Sequence, residues 1–510
     1  MWVGGLIGVL SAAVAVGVGE LVAAFVRPAA APVIAVGNRI IVLTPESVKR
    51  PTISSVGTAD KTLLLGGIYL LLAVIGAAVG VLALRNLIAG LGGVAAIGAF
   101  ATYCAATANG AHSSDVIPSL IGTVAAVGAL VALVRVAARA RPADQPDGQA
   151  TGPLPDRRVF LQAGAATAAL ATLAGLVGRA VQQNRYDVTA ARAKVTLPPA
   201  SGDSAVPAGA DLAASGVPWA TPNKDFYRID TALTVPQLDP ATWRLRINGM
   251  VDHDLTLGYD DVLARPMIER WITLCCVSNE VGGGLVGNAL FRGIRLADLL
   301  REAGIQPGAD QLLLRSSDGY TFGAPTDVVM DGRDALLAIG MNGAPLPIAH
   351  GFPARTVVPG LYGYVSACKW IVGIEATTYA AQQGYWVEQG WSPEPPIQLQ
   401  SRIDTPHAGK AVRIGRPVAV AGVAWDQHVG VSIVEVQVDD GPWERARLAR
   451  VPSTDTWRQW VYSWMPQKAG SHRLRVRATD AGGNVQPAQL RDPFPAGATG
   501  WHAVTVHAVA

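Results

Sequence analysis

The chain has 510 residues, half of them hydrophobic and only 15% charged, with a formal net charge of +3. That length allows about three or four domains, and the near-neutral charge without a basic, aromatic-interleaved stripe argues against a nucleic-acid partner. Four cysteines with no CxxC pair build neither a disulfide framework nor a Cys-rich zinc site.

In chain order, apolar stretches at 3–26, 62–84, 88–108 and 117–137 come first. Each is about 20 residues, the length that crosses the ~30 Å hydrocarbon core as a helix. This gives a four-helix transmembrane region over 1–140. Glu20 and His112 are the notable polar residues in or beside these spans, and an intramembrane acid is a functional candidate by default. Loop 27–61 holds "VIAVGNRIIVL", which reads as a surface-lying or re-entrant element.

Residues 141–181 read as a Pro/Asp/Gly-rich linker and a fifth apolar segment, Phe160–Val181. Basic residues crowd both loop 27–61 and segment 135–158, which the intervening crossings leave on opposite sides, so the positive-inside rule is met at only one of them. The fifth segment decides. It opens Arg157-Arg158-Val159-Phe160-Leu161 before a Gly/Ala-rich run, like a twin-arginine export signal. An Arg pair before a helix is also a common topological anchor. Either reading starts the segment in the cytoplasm and puts residues 182–510 outside a multi-pass cytoplasmic (inner) membrane protein.

A linker rich in Ala, Pro, Ser and Gly is expected over about 194–218. Beyond it, "WRLRINGMV" (243–251) alternates like a strand, and "RLADLLREAG" (295–304) has helical spacing with a Gly stop. "DQLLLRSSDGYTFGAP" (310–325) reads as two strands about an Asp-Gly turn, and 354–379 as β structure broken by Pro359, Gly360 and Gly363. An α+β domain over 205–400 follows. From 403 to 510, short alternating strands with regular turn signals indicate an immunoglobulin-like β-sandwich whose Trp residues fill core and interfaces.

The stretch that carries chemistry is "ITLCCVSNEVGGG" (272–284). A thiolate in a glycine-flanked loop suits a nucleophile or a metal ligand. A lone cysteine is more often a small buried hydrophobe. Neighbouring side chains of an extended chain face opposite ways, so Cys275 and Cys276 are not expected to act together. A papain-like Cys–His pairing with His350 has no family signature around the cysteine.

At these residues the chain resembles the sulfite-oxidase-type molybdopterin oxidoreductases. The resemblance runs through 273–304, "GMNGAPLPIAHGFPARTVVPGLYGYVSACKWIVGIE" (340–375) and the C-terminal "IDTP…VAW…VEVQVDDGPW…WRQWVYSW…RATDAGGNVQP", in family order over about 205–510. It implies one molybdenum-molybdopterin per chain, with Cys276 of "TLCCVSN" as the thiolate ligand. His350, Arg355, Ser366 and Lys369 match pterin-binding positions, the loop before Lys369 being one residue longer than in animal members. Tyr227 and Arg228 of "DFYRID" match the N-terminal cofactor and substrate contact, Arg228 with a catalytic part, and Ser316 is a further match. A homodimer through the C-terminal domain is implied as well.

Three positions depart from sulfite-oxidising members: Ile339-Gly340 replaces a Tyr before "MNG", Glu280 an Arg after the cysteine motif, and Gln389 a further Arg. A dianion pocket needs fixed cations, and Arg228 is the candidate left, which argues against sulfite itself. The implied reaction is two-electron oxygen-atom transfer on a small molecule. With no CxxCH motif and one histidine in the membrane half, no haem is expected, and electrons pass to a separate cytochrome or quinone-linked partner. The competing reading is a cofactor-less surface binding protein that keeps the fold.

Overall fold

The computed structural model describes residues 1–45, 60–139, 157–202, 204–394 and 396–510; the expected 141–156 linker lies outside them. The chain divides into a helical unit, Met1–Asp187 with Thr231–Val235, and a second unit, Val188–Asp230 with Pro236–Ala510.

The helical unit contains α1 (Trp2–Val26), α2 (Pro32–Leu43), α3 (Asp60–Arg85), α4 (Leu87–Ala106), α5 (Ile117–Arg139) and α6 (Arg157–Tyr186). Among the described residues, five helices are long and apolar enough to cross a membrane. They coincide with the five expected stretches. α2 is the exception at 12 residues, roughly 18 Å long and short of the hydrocarbon core. The remainder of the re-entrant or surface-lying candidate, past residue 45, lies outside the described residues.

α1 packs against α3, α5 and α6. Lipid tails are as apolar as leucine, so such helices associate through close backbone approach at small residues. Gly4 and Gly8 of α1 meet Gly76 and Gly80 of α3, where a Cβ on Gly8 would lie 1.8 Å from the Gly76 carbonyl oxygen. Gly17 meets α6 in the same way, 2.3 Å from the Ala171 oxygen.

The second unit starts with β1 (Ala200–Ser201), β2 (Arg244–Gly249), β3 (Leu255–Gly258), β4 (Met267–Cys275), β5 (Val286–Arg295), β6 (Gln311–Ser316), β7 (Thr321–Pro325), β8 (Leu336–Met341), β9 (Ala344–Pro345), β10 (Arg355–Val357) and β11 (Ile371–Thr377). One sheet runs β1-β4-β5-β8-β10, the other β3-β2-β11-β6-β7. The helix Leu296–Ala303 forms as its spacing predicts and stops at Gly304, whose φ of 69° a side chain would resist. Segment 354–379 is β structure interrupted where Pro359, Gly360 and Gly363 were expected to break it. Between β10 and β11 it makes a helical turn, Gly363–Ser366, closed by Ser366 Oγ donating to the Leu361 and Tyr362 carbonyls.

The described residues of 194–218, expected as a linker, are built into this unit. Ala200 and Ser201 pair with β4, Ser204 accepts from the Trp271 indole, and Ala210 and Ser215 are fully buried. Their composition hides this because they contribute single anchors rather than a periodic face.

The rest forms β12 (Gln400–Thr405), β13 (Ala411–Arg413), β14 (Val418–Trp425), β15 (Val431–Val438), β16 (Trp443–Arg445), β17 (Arg447–Leu448), β18 (Arg458–Trp464), β19 (Gly470–Asp480) and β20 (His502–Val509). They make two sheets, β12-β14-β18-β17 and β13-β20-β19-β15-β16, around a core including Val434, Trp460, Leu474 and Val506. This is the sandwich expected from the turn spacing.

Candidate functional site

β4 delivers the cysteine pair. Cys275, its last residue, is 2% exposed in a cluster with Trp219, Trp391, Trp425 and Trp457. Cys276 lies just past the strand and is partly exposed. The alternation of an extended chain thus separates the two thiols, one into the core and one onto the loop. Asn279 shapes that loop: its backbone N–H donates to the Cys276 carbonyl at 3.0 Å, and its Oδ1 accepts from Leu285 N at 2.7 Å. Its Nδ2 is buried without a partner among the described residues.

Arg355, Lys369 and His350 come together through Gly351. A Cβ there would lie 3.0 Å from Arg355 Cβ and 3.2 Å from Lys369 Cα, at a φ of 111° that suits only glycine. Arg355 is 5% exposed, and its guanidinium lies over the Phe291 ring and donates to the carbonyls of Thr356, His350 and Ala367, at 3.2–3.5 Å. No carboxylate pairs with it among the described residues. Burial therefore pulls its pKa down to about 10. His350 is held near 4, neutral, by burial and then by the Arg355 and Lys369 charges.

Tyr227 stacks on Phe226 with ring centroids 5.2 Å apart, and Phe226 packs over Gly287, where any side chain would collide with it. Burial raises the Tyr227 phenol well above its ordinary range, and the neighbouring Cys276 adds to this. The Cys276 thiol is likewise raised by burial, while hydrogen bonds from Ser278 and the charge of Lys369 act in the opposite sense. Those two influences favour a thiolate.

The remaining cations are not free. Arg228 makes two hydrogen bonds to Asp230, at 2.8 and 3.3 Å, and Lys369 Nζ reaches the same carboxylate at 2.7 Å. Lys369 also lies 4.7 Å over the Trp370 ring, and burial lowers its pKa to about 8. Ser316 donates to Asp318, whose carboxyl is raised by burial and by nearby Asp230. Ser366 spends its hydroxyl on backbone carbonyls.

Cys276, Tyr227, Arg228, Ser316, His350, Arg355 and Lys369 are thus linked in one neighbourhood by contacts or by mutual fields. Asp230, Asp318 and Asn279 belong to it as well; Asn279 closes the quoted "TLCCVSN" but was given no role of its own, and neither aspartate was singled out in the sequence. Asp230 ends the quoted "DFYRID" and Asp318 sits in an Asp-Gly turn, a position that reads as turn chemistry alone. Ile339 is fully buried and Glu280 exposed, so neither supplies a cation.

These donors fit a molybdopterin. Arg355 is a buried cation with no carboxylate, as an anionic phosphate requires, Asn279 Nδ2 is a buried donor without an acceptor, and Cys276 is a soft sulfur ligand at the edge of the same cluster.

Residues 232–386 match the oxidoreductase molybdopterin binding domain, and residues 400–476 the bacterial Ig domain. The chain is 33% identical to mitochondrial sulfite oxidase of Homo sapiens over 317 residues, 53% of this chain and 57% of that one. It is 31% identical to sulfite oxidase of Gallus gallus over 315 residues, 52% of this chain and 68% of that one. It is also 35% identical over 153 residues to the uncharacterized oxidoreductase YuiH of Bacillus subtilis, 30% of this chain and 74% of that one. The chain spans only 57% of the human relative's length. The cofactor of the matched domain is molybdenum-molybdopterin. On the domain match and the two relatives that it covers by more than two thirds, the chain belongs to the sulfite-oxidase-type molybdopterin oxidoreductases.

Proposed function

We propose that the protein is a membrane-anchored, molybdopterin-dependent oxidoreductase that moves an oxygen atom to or from a small substrate outside the cytoplasmic membrane. The observation that carries this reading is Arg355, a buried guanidinium without a carboxylate among the described residues, acting with the partly exposed Cys276 on the same Tyr227. Cys276 would ligate the molybdenum, and Arg355, Asn279, His350 and Lys369 would hold the pterin and its phosphate. Tyr227 and Ser316 complete the proposed contact set, while Ser366, its hydroxyl spent on backbone carbonyls, shapes the turn before Lys369. The bound cofactor supplies the two-electron redox chemistry. Neutral His350 spends its Nε2 proton on the Asn223 carbonyl at 3.3 Å and keeps Nδ1 as an acceptor, adding no like charge beside Arg355.

Arg228 is the proposed substrate-facing cation, and its charge is already shared with Asp230. An effectively half-neutralised arginine holds a neutral oxide better than a dianion, so sulfoxides or N-oxides are favoured over sulfite. Electrons are exchanged with a separate carrier, and the sandwich domain is the proposed dimer contact.

Metal analysis of the purified protein gives the first test: about one molybdenum and one pterin per chain support the enzyme. Neither present would favour the cofactor-less binding protein instead. Cys276→Ser is expected to lose molybdenum and activity together; full retention of both would discard the ligand assignment and turn attention to Cys275. Screening sulfite, sulfoxides and N-oxides with artificial electron carriers then tests the substrate class, and a strong preference for sulfite would overturn it.

A further inference from the structure

Between α1, α3 and α6 the helical unit holds a groove of ≈ 330 Å³ that none of the assignments above uses. Its floor is made of small residues, including Ala12, Ala13 and Gly17 of α1, and its walls of Leu72 and Leu176. One end is polar, with Glu20, Tyr69 and Arg179 all lining it.

The hydrogen bonds at that end leave specific groups over. Arg179 Nη2 donates to the Tyr69 hydroxyl oxygen at 3.0 Å, so the Tyr69 proton is still available to a ligand. Glu20 is 6% exposed, and Gln182 Nε2 donates to its Oε2 at 3.3 Å; Oε1 receives no hydrogen bond among the described residues. An acid kept at this depth in apolar surroundings is costly unless something uses it. The polar end thus presents a donor and a vacant acceptor together, at the mouth of an apolar slot.

The phosphate of a phospholipid headgroup would supply acceptors to Tyr69 and Arg179 but no donor to Glu20 Oε1. A neutral head with carbonyl oxygens for Tyr69 and Arg179, and a hydroxyl for Glu20 once reduced, matches both groups. We propose that this groove seats the head of a membrane quinone, its tail leaving along the leucine walls. Glu20 and Arg179 lie in the last turns of α1 and α6, and Tyr69 in the early turns of α3. The polar end therefore lies toward the C-terminal end of α6. The proposal rests on the oxidoreductase reading for its use: the quinol gives up two electrons and two protons and becomes the quinone, and the oxide substrate takes them up, leaving as its deoxygenated product and water. Binding stands on the groove alone.

Equilibrium binding of decylubiquinone and of a short-chain menaquinone analogue to the full-length protein in lipid nanodiscs tests this. Saturable binding of either, above empty nanodiscs, is expected, weakened at least tenfold by Tyr69→Phe or Arg179→Gln. Ala73→Phe, an apolar filling of the slot that removes no polar group, is expected to block it as well. No binding above empty nanodiscs, equal binding by all variants, or a co-purified phospholipid that neither analogue displaces would each overturn the proposal. The Cys276→Ser protein separates the two readings, because it should bind the analogue as the parent does. An active molybdenum centre with no quinone binding would sink the groove assignment only.

Discussion

At the scale of single residues, the site is defined by what Arg355 lacks. A buried charge without a counter-charge weakens the empty protein, and even buried ion pairs are often replaced by apolar residues with a gain of about 1–4 kcal/mol. Arg355→Met, similar in length, is therefore expected to raise the melting temperature of cofactor-free protein while lowering its molybdopterin content severalfold. Thermal scans and pterin analysis on the same samples check both halves; a variant that loses stability and keeps its cofactor would contradict the role given to Arg355. The cysteines and the basic positions were legible because each sits in a motif with a fixed register. Asp230 and Asp318 were not, since a carboxylate two residues from an arginine or inside an Asp-Gly turn has an ordinary local explanation. Their fields on Lys369 appear only after β6, β11 and the 226–230 segment have converged.

At the scale of elements, β4 is held from both sides, and this fixes where the cysteine loop begins. Thr273, fully buried, donates from its hydroxyl to Asn288 Oδ1 at 3.0 Å and accepts from Trp457 N at 2.7 Å. Its backbone N–H and carbonyl are taken by Asp455 O and Gln427 Nε2 of the sandwich domain. Thr273→Val keeps the volume and strips both side-chain bonds, leaving two buried groups unmet at about 1–3 kcal/mol each. Denaturant unfolding should show a loss of roughly 2–4 kcal/mol, with Thr273→Ser recovering most of it. A change below about 0.5 kcal/mol, the usual range for surface substitutions, would mean the strand is positioned by other contacts.

The sandwich carries a pH-dependent weakness of its own. Asp426, 8% exposed, faces buried Asp480, and burial with that like charge raises its pKa to about 7. A carboxyl raised above its unfolded value of 3.8 keeps its full stability below that pH and loses it as the pH climbs through 7. Asp426→Asn should then match the parent near pH 4 and exceed it above pH 7.5, by on the order of 2–4 kcal/mol. Equal stability of the two proteins at pH 8 would refute the strained pair. Strand identities here were readable from two-residue alternation and turn signals. Their partners were not: β11 lies between β2 and β6, which are well over a hundred and about sixty residues earlier, and nothing local encodes such pairing.

At the scale of the molecule, the helical spans were the most legible part, because bilayer thickness fixes their length whatever the sequence does in detail. Domain limits were less so. The sequence places the start of the catalytic domain near 205, whereas the compact unit begins at Val188. The intervening residues have physical tasks: Val188 is buried in a core with Ile272 and Phe291, Arg192 donates to the Leu346 carbonyl at 2.6 Å, and β1 pairs with β4. The short return Thr231–Val235 belongs instead with the helices, where Lys61 donates to the Ala232 carbonyl and Leu233 fills the space over Gly37. A chain cut at 188 should therefore fold and take up the cofactor once Leu233→Ser removes the bared leucine. A chain cut at 205 with the same substitution loses a strand, an anchored arginine and a buried valine. It should melt at least about 5 °C lower, given roughly 2–4 °C per kcal/mol for domains of 150–250 residues. Equal melting of the two, with equal molybdenum content, would restore the boundary near 205 and make residues 188–204 a tether rather than a structural part of the cofactor domain.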